Sequence, residues 1–283
     1  MKPIKQILAP TDFSDRATRA LRYAISLAQT FEAKLFILHA YQTPDTAIGT
    51  PYPMANLYVD TLAVNKQVVQ EVEESFEEIK MKHLVNKKVN YEFISSSAFP
   101  EEAIEEAIKE KEIDLVVMGN RGDSDWEKLL GSTTSHMMRR TSCPILAIPE
   151  NAIYAKVDRI LFATDYRQVD QAATFRVLLS LATMFQAQID VLHITPFAEK
   201  LNHDQLAAGE AVERTFHAVR HFYHQQESED VLDGIQAYLS QHDNIGLVAV
   251  MPRDHDLWER LTHSSVAKEI VFESDRPVLA FHP

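Results

Sequence analysis

The stretch Ile7-Leu8-Ala9-Pro10-Thr11-Asp12-Phe13 returns later in the chain as Ile160-Leu161-Phe162-Ala163-Thr164-Asp165-Tyr166. A short apolar run that stops at Thr-Asp reads as a buried strand ending in a polar loop. Working outward, further blocks repeat in the same order. Phe36-Ile37-Leu38-His39-Ala40 matches Asp190-Val191-Leu192-His193-Ile194. Leu115-Val116-Val117-Met118 matches the run Leu247 to Met251 with a one-residue slip. Trp126-Glu127-Lys128-Leu129 matches Trp258-Glu259-Arg260-Leu261, and Pro144-Ile145-Leu146-Ala147 matches Pro277-Val278-Leu279-Ala280. Ordered recurrence of this kind is the mark of internal duplication. The junction falls at about residues 150–156, which divides the chain into domains 1–152 and 153–283.

Within the first copy, strand and helix patterns alternate. Apolar runs at 4–10, 34–41, 89–95, 113–118 and 144–149 read as strands, and 14–31, 60–84, 100–111 and 132–141 read as helices. In the first helix Ala17, Ala20, Leu21, Ala24, Leu27 and Ala28 share a face, and Ser14 is its expected N-cap. The second copy repeats the strands near 158–164, 189–195, 218–225, 246–251 and 277–281, with a helix over 201–217 that could continue through 226. Continuous apolar strands separated by helices predict an α/β fold. Each of two tandem domains is then an open five-stranded parallel sheet with helices on both faces, Rossmann-like in outline.

Composition narrows the function. Apolar residues make up 46% of the 283, enough for packed cores. The formal net charge of −13 disfavours non-specific binding to nucleic acid or to an anionic membrane. No run approaches the apolar length of a transmembrane helix, and the apolar segment before Asp12 is too short for a secretory signal. The single cysteine, Cys143, forbids an intrachain disulfide. A cytoplasmic protein is the expectation.

Glycine is scarce, seven in all, yet Gly119, Gly122 and Gly131 crowd together. Val117-Met118-Gly119-Asn120-Arg121-Gly122 lies at a strand end, and Gly131-Ser132-Thr133 opens a helix. In open α/β sheets ligands bind beyond the carboxyl ends of strands. Glycine permits close backbone approach, and a helix N-terminus favours an anion. A phosphate group suits this arrangement; a plain glycine turn followed by a serine cap is the alternative reading. Neither a P-loop nor a dinucleotide Gly-x-Gly-x-x-Gly fingerprint is present.

Pro10-Thr11-Asp12, Leu38-His39-Ala40 and Met118-Gly119-x-x-Gly122…Gly131-Ser132 together resemble the universal stress protein family. The likeness covers nearly the whole chain as two tandem domains. It implies an adenine nucleotide alpha hydrolase-like fold and, in one branch of the family, ATP held by a Gly-x-x-Gly-x9-Gly-(Ser/Thr) loop. Carried over, Pro10, Thr11 and Asp12 would meet the adenine or ribose end, and Ala40 would offer backbone contacts to adenine. Met118, Gly119, Gly122, Gly131, Ser132 and Thr133 would line ribose and phosphates. Two departures bear on this. Eight residues, not nine, separate Gly122 from Gly131, and the intervening loop carries Asp123 and Asp125, partly offset by Arg121 and Lys128. Carboxylates beside a polyphosphate weaken binding unless Mg²⁺ bridges them. AMP or another anion therefore stays open beside ATP.

The second copy has Pro252-Arg253-Asp254-His255 where the first two glycines stand, and His263 in place of Gly131. It is expected not to bind ATP in the family manner and to act structurally, since domains of this family pair through their last strands and a tandem chain can pair internally. Asp165 reads as a turn or cap residue. His217, His221 and His224 have metal-ligand spacing on a helix, but on a strand His221 and His224 would point apart. Cys143 reads as buried and inert, His39 as a satisfied core histidine, and no catalytic set emerges. The leading reading is a stress-response ATP-binding regulatory module with unknown protein partners and a homodimer left open. A nucleotide-independent scaffold is the alternative, and a slow ATP hydrolase or phosphotransferase the third.

Overall fold

The computed structural model describes residues 3–42, 61–119, 133–134, 137–138, 141–164, 166, 174–195, 203–251 and 276–281. In the first domain β1 (Gln6–Pro10), β2 (Lys34–Ala40), β3 (Asn90–Ser96), β4 (Leu115–Gly119) and β5 (Ile145–Ile148) alternate with α1 (Asp15–Phe31), α2 (Thr61–Ile79) and α3 (Pro100–Glu110). A single π turn, Lys80–Leu84, extends α2. In the second, β6 (Arg159–Ala163), β7 (Gln188–Thr195), β8 (His221–Glu227), β9 (Ile245–Val250) and β10 (Val278–Ala280) alternate with α4 (Arg176–Phe185), α5 (His203–Phe216) and α6 (Val231–Gln241). The stretch after α5 is therefore a strand, not a continuation of the helix. The loop at 217–220 breaks the helix so that β8 can extend β7 in register, Ile189 beside His221 through Thr195 beside Glu227.

The ten strands among the described residues form one sheet in the order β3-β2-β1-β4-β5-β10-β9-β6-β7-β8. Every neighbouring pair is parallel except β5 and β10, which meet antiparallel with Ala147 opposite Val278, Leu146 opposite Leu279 and Ile145 opposite Ala280. The carboxyl ends of the first domain's strands thus face one way and those of the second domain's strands the other. The internal last-strand pairing expected from the family resemblance is present. Its residues are all buried, so the seam is core.

Strand alternation sets up two apolar layers. Ile7, Ala9, Leu35 and Ile37 join Leu21, Leu27 and Phe31 of α1 on one face, whereas Leu8, Phe36 and Leu38 join Ile104 of α3 on the other. Each layer continues into the second domain. On the first face Phe162 packs against Phe175 at 5.5 Å, and Phe175 against Phe216 at 5.1 Å. The segment between the domains is docked as well. Tyr154 shares a hydrogen bond with Thr30 and stacks edge-on against Tyr23, while Arg19 Nη2 meets Glu150 Oε1 at 2.7 Å. Arg176 of α4 reaches across to the buried Asp114, which also accepts the backbone N–H groups of Lys5 and Gln6.

Cys143 is buried, its Sγ 3.4 Å from the carbonyl of Ile113. Burial first, and then the charge of Asp114, push its thiol up to about 12. A neutral, enclosed thiol is a poor nucleophile. The native chain is therefore expected to resist maleimide labelling at pH 8, with full labelling in denaturant. Rapid native labelling would show that this region opens.

Candidate functional site

The loop after β1 is built from short-range bonds that its sequence makes available. The Thr11 N–H donates to the carbonyl of Leu38 at 2.8 Å, which holds the end of β1 against β2. The Thr11 carbonyl accepts from His39 Nδ1 at 2.8 Å, and the Thr11 hydroxyl oxygen accepts the N–H of Phe13 at 3.0 Å. Phe13 takes a left-handed φ of 62° and lays its ring on His39, centroids 4.2 Å apart. Asp12 Oδ1 accepts both the N–H and the hydroxyl of Ser14. The Ser14 Oγ in turn accepts the N–H of Ala17 at 3.2 Å, as an N-cap does.

The second domain repeats this latch. Thr164 N–H donates to Leu192, His193 Nδ1 bonds the Thr164 carbonyl at 2.8 Å, and Tyr166, φ 52°, packs on His193 at 4.8 Å. A device present in both domains, one of which lacks the glycine loop, is structural. His39 spends its Nδ1 proton on the backbone, as its reading as a core histidine implied.

Register also removes the slip between the two copies. Ile7 pairs with Leu115 and Leu8 with Val116, just as Ile160 pairs with Leu247 and Leu161 with Val248. Gly119 is therefore the counterpart of Met251. The sheet, not residue likeness within two apolar runs, fixes that alignment. Gly119 earns its place by close approach: a Cβ there would stand 3.1 Å from the Arg16 carbonyl oxygen at the start of α1. Positive φ is not the reason, for no described glycine has it. Loss of this glycine from the second copy therefore does not show that the first domain can fold unchanged without it.

Beyond these strand ends lies a cavity of about 340 Å³. Pro10, Thr11, Asp12, Ala40, Met118, Gly119 and Thr133, all expected site residues, line it together. Gly122, Gly131 and Ser132 lie outside the described residues. So do Asp123, Asp125 and Asp165. The cavity also takes in Ser14, Arg16 and Ala17 of the first turn of α1, Leu38, Pro100 and Ile104 of α3, and Thr134, whose hydroxyl donates to the Gly119 carbonyl at 3.3 Å. Sequence reading did not assign these seven to the site. Ala17 carried a signal in hindsight: it lies on the apolar face of α1, yet it is only half-buried because it borders the cavity.

The wall is mixed in character. Leu38, Ala40, Met118, Ile104 and Pro100 are its apolar members, and Thr11, Ser14, Thr133 and Thr134 bring hydroxyls alongside Arg16. Asp12 is the only carboxylate among the described lining residues. Arg19, Arg159 and Arg176 are each paired with an acid, but among the described residues no acid pairs with Arg16. Arg16 lies in the first turn of α1, where the positive end of the helix disfavours a cation. An anion in the cavity would relieve both.

The histidine cluster does not assemble. His221 Nε2 meets Glu213 of α5 at 3.0 Å, whereas His224 faces Tyr238 of α6 on the opposite side of β8. His217 bonds the Arg214 carbonyl. Among the described residues no group of three His, Cys, Asp or Glu could hold a metal. His255 and His263 lie outside the described residues. No described helix is long and apolar enough to cross a membrane.

Two tandem α/β domains joined edge to edge, with a polar-apolar cavity at the strand ends of the first, define the class of protein. The Universal stress protein family model matches residues 3–149, and the chain belongs to that family. Universal stress protein YxiE of Bacillus subtilis is 31% identical over 148 residues, 50% of this chain and 97% of its own. Universal stress protein MJ0531 of Methanocaldococcus jannaschii is 27% identical over 146 residues, 51% of this chain and 81% of its own. A solved universal stress protein from Archaeoglobus fulgidus shares the fold across both domains. It has a TM-score of 0.69 at 18% identity and covers 98% of this chain and 96% of that one.

Proposed function

We propose that the first domain, residues 1–152, is an adenine-nucleotide-binding module. ATP is its preferred ligand, and the whole chain is a cytoplasmic regulator in stress adaptation. The carrying observation is that residues from β1, β2 and β4, with Thr133 and Thr134, line one cavity together with Arg16, which pairs with no acid among the described residues. Leu38, Ala40, Met118, Ile104 and Pro100 would receive the base, and Arg16, Thr133, Thr134 and the α1 terminus the phosphates. A side chain and a helix end that both favour anions fit a phosphate chain. Mg²⁺, if it accompanies the nucleotide, would be held mainly by phosphates, because Asp12 already turns one oxygen to Ser14. The second domain, residues 153–283, would serve as the internal partner that covers β5.

One observation favours the scaffold reading instead. Gly119 and Asp12 each have a full structural explanation, as a close contact and a capped turn. Calorimetry with Mg-ATP separates the two. Heat of binding supports the module, and absence of heat together with no thermal shift supports the scaffold. Within the module reading, Arg16→Ala is expected to weaken ATP about tenfold, near the low end for a charged hydrogen bond. Adenosine should bind the variant and the wild type alike. Equal loss for both ligands would remove Arg16 from phosphate recognition. Slow hydrolysis, the third reading, would appear as phosphate release that Asp12→Ala abolishes.

A further inference from the structure

The two outer edges of the ten-stranded sheet differ. At one end β3 carries Glu92, held by Lys34 at 2.6 Å and Lys111 at 2.8 Å, and its Tyr91, Phe93 and Ile94 are half-buried. Charges placed on an edge strand discourage pairing with another chain. At the other end, β8 reads His-Phe-Tyr-His-Gln-Gln-Glu, with no lysine, arginine or proline. Phe222 and Tyr223 are 46% and 40% exposed, on opposite faces of the strand. Among the described residues β8 pairs only with β7.

The direction of the free backbone groups follows from the bonds to β7. Ile189 N–H donates to the Arg220 carbonyl, and Ser228 N–H donates to the Thr195 carbonyl. In a parallel ladder the groups of alternate residues turn to the same neighbour. Residues 220, 222, 224, 226 and 228 therefore face β7. His221, Tyr223, Gln225 and Glu227 turn their N–H and C=O outward.

We propose that β8 pairs antiparallel with β8 of a second copy of this chain about a two-fold axis at His224, which joins two ten-stranded sheets. In that register His221 faces Glu227 of the second copy, and Tyr223 faces Gln225. Both are pairs whose outward groups can exchange hydrogen bonds. Phe222 faces Gln226, and His224 faces its own counterpart in a position without backbone bonds. No like-charged carboxylates or cations meet, and His221 opposite Glu227 is complementary. This register uses all seven residues of the strand; a shift by two residues loses pairs at one end. The contact is isologous, so it closes at two copies, and the guarded β3 edge does not extend it into a filament. The inference is independent of nucleotide binding.

Sedimentation velocity on the full chain tests it. Between about 10 and 200 µM the wild type is expected to shift toward twice its monomer mass, as a modest interface requires. Gln225→Pro removes an outward N–H and leaves the β7 ladder donors intact. Phe222→Lys adds an edge cation on an exposed position. Each is expected to weaken self-association at least about tenfold, with Phe222→Lys deciding the matter if the proline variant misfolds. Residues opposed without backbone bonds bring their Cα atoms to about 4.5 Å, within disulfide range. Oxidised His224→Cys should therefore give a covalent dimer, and Phe222→Cys should not. A wild type that stays monomeric at 200 µM overturns the proposal. So does a dimer that both edge variants leave unchanged, or a β8 edge that binds only a strand of another protein.

Discussion

Replacement of Gly119 by valine is expected to abolish the nucleotide binding proposed for the first domain while the chain stays folded. The new Cβ would sit 3.1 Å from the Arg16 carbonyl oxygen and 3.4 Å from its carbon. Both are backbone atoms, which cannot swing aside as a side-chain tip can. Valine's methyls make the crowding worse, and overpacking of this kind costs about 1–3 kcal/mol. The part that must yield is the first turn of α1, and the same turn supplies Ser14, Arg16 and Ala17 to the cavity wall. Local strain is thus passed directly to the site. Gly119→Ala should show a graded version. Met251→Ala, at the matching position of the second domain, should lower stability by about 2–5 kcal/mol yet leave nucleotide affinity unchanged. Calorimetry alongside thermal melts separates these outcomes. A folded Gly119→Val protein that binds Mg-ATP as the wild type does would remove this position from the site.

The largest effect on stability is expected at the seam between β5 and β10. Leu146 and Leu279 face each other there and are wholly buried. Leu279→Ala should cost about 2–5 kcal/mol. For a chain of this size that lowers the melting temperature by about 3–8 °C. Leu279→Asp places an unpaired charge in the same spot and should prevent folding. Both apolar layers cross the seam, and Arg176–Asp114 and Tyr154–Thr30 tie the domains outside it. The chain should therefore melt in one calorimetric transition, and Leu146→Ala and Leu279→Ala should each shift it. Their double variant should be non-additive, since the residues touch. Two separate transitions, with only one moved by either change, would mean that the domains are energetically independent.

The strands were legible because they are written locally. Buried parallel strands are continuous apolar runs, and duplication shows most of them twice. The N-cap at Ser14 and the face of α1 follow from residue type and a 3.6-residue period, and both appear, except that Ala17 is only half-buried where it borders the cavity. The third strand of the second domain was ambiguous for the same local reason. His221 to Glu227 is polar enough to continue a helix, and only the free edge of β7 decides that it is a strand. Site residues next to strand ends were legible from the glycines and from Pro-Thr-Asp. Arg16, Pro100 and Ile104 were not, because each belongs to a helix whose first turns reach the cavity only after folding.

By itself the sequence determined that this is a duplicated α/β chain, that one copy alone keeps the glycine-rich segment, and that family features concentrate at the ends of β1, β2 and β4. These are properties of residue order, period and repetition. Only the tertiary structure decided that Gly119 answers to Met251, that Gly119 is small because Arg16 passes over it, and that an arginine with no acid partner among the described residues lies at the cavity. Those are distances between segments far apart in the chain, set by strand register and helix packing, and no local pattern records them.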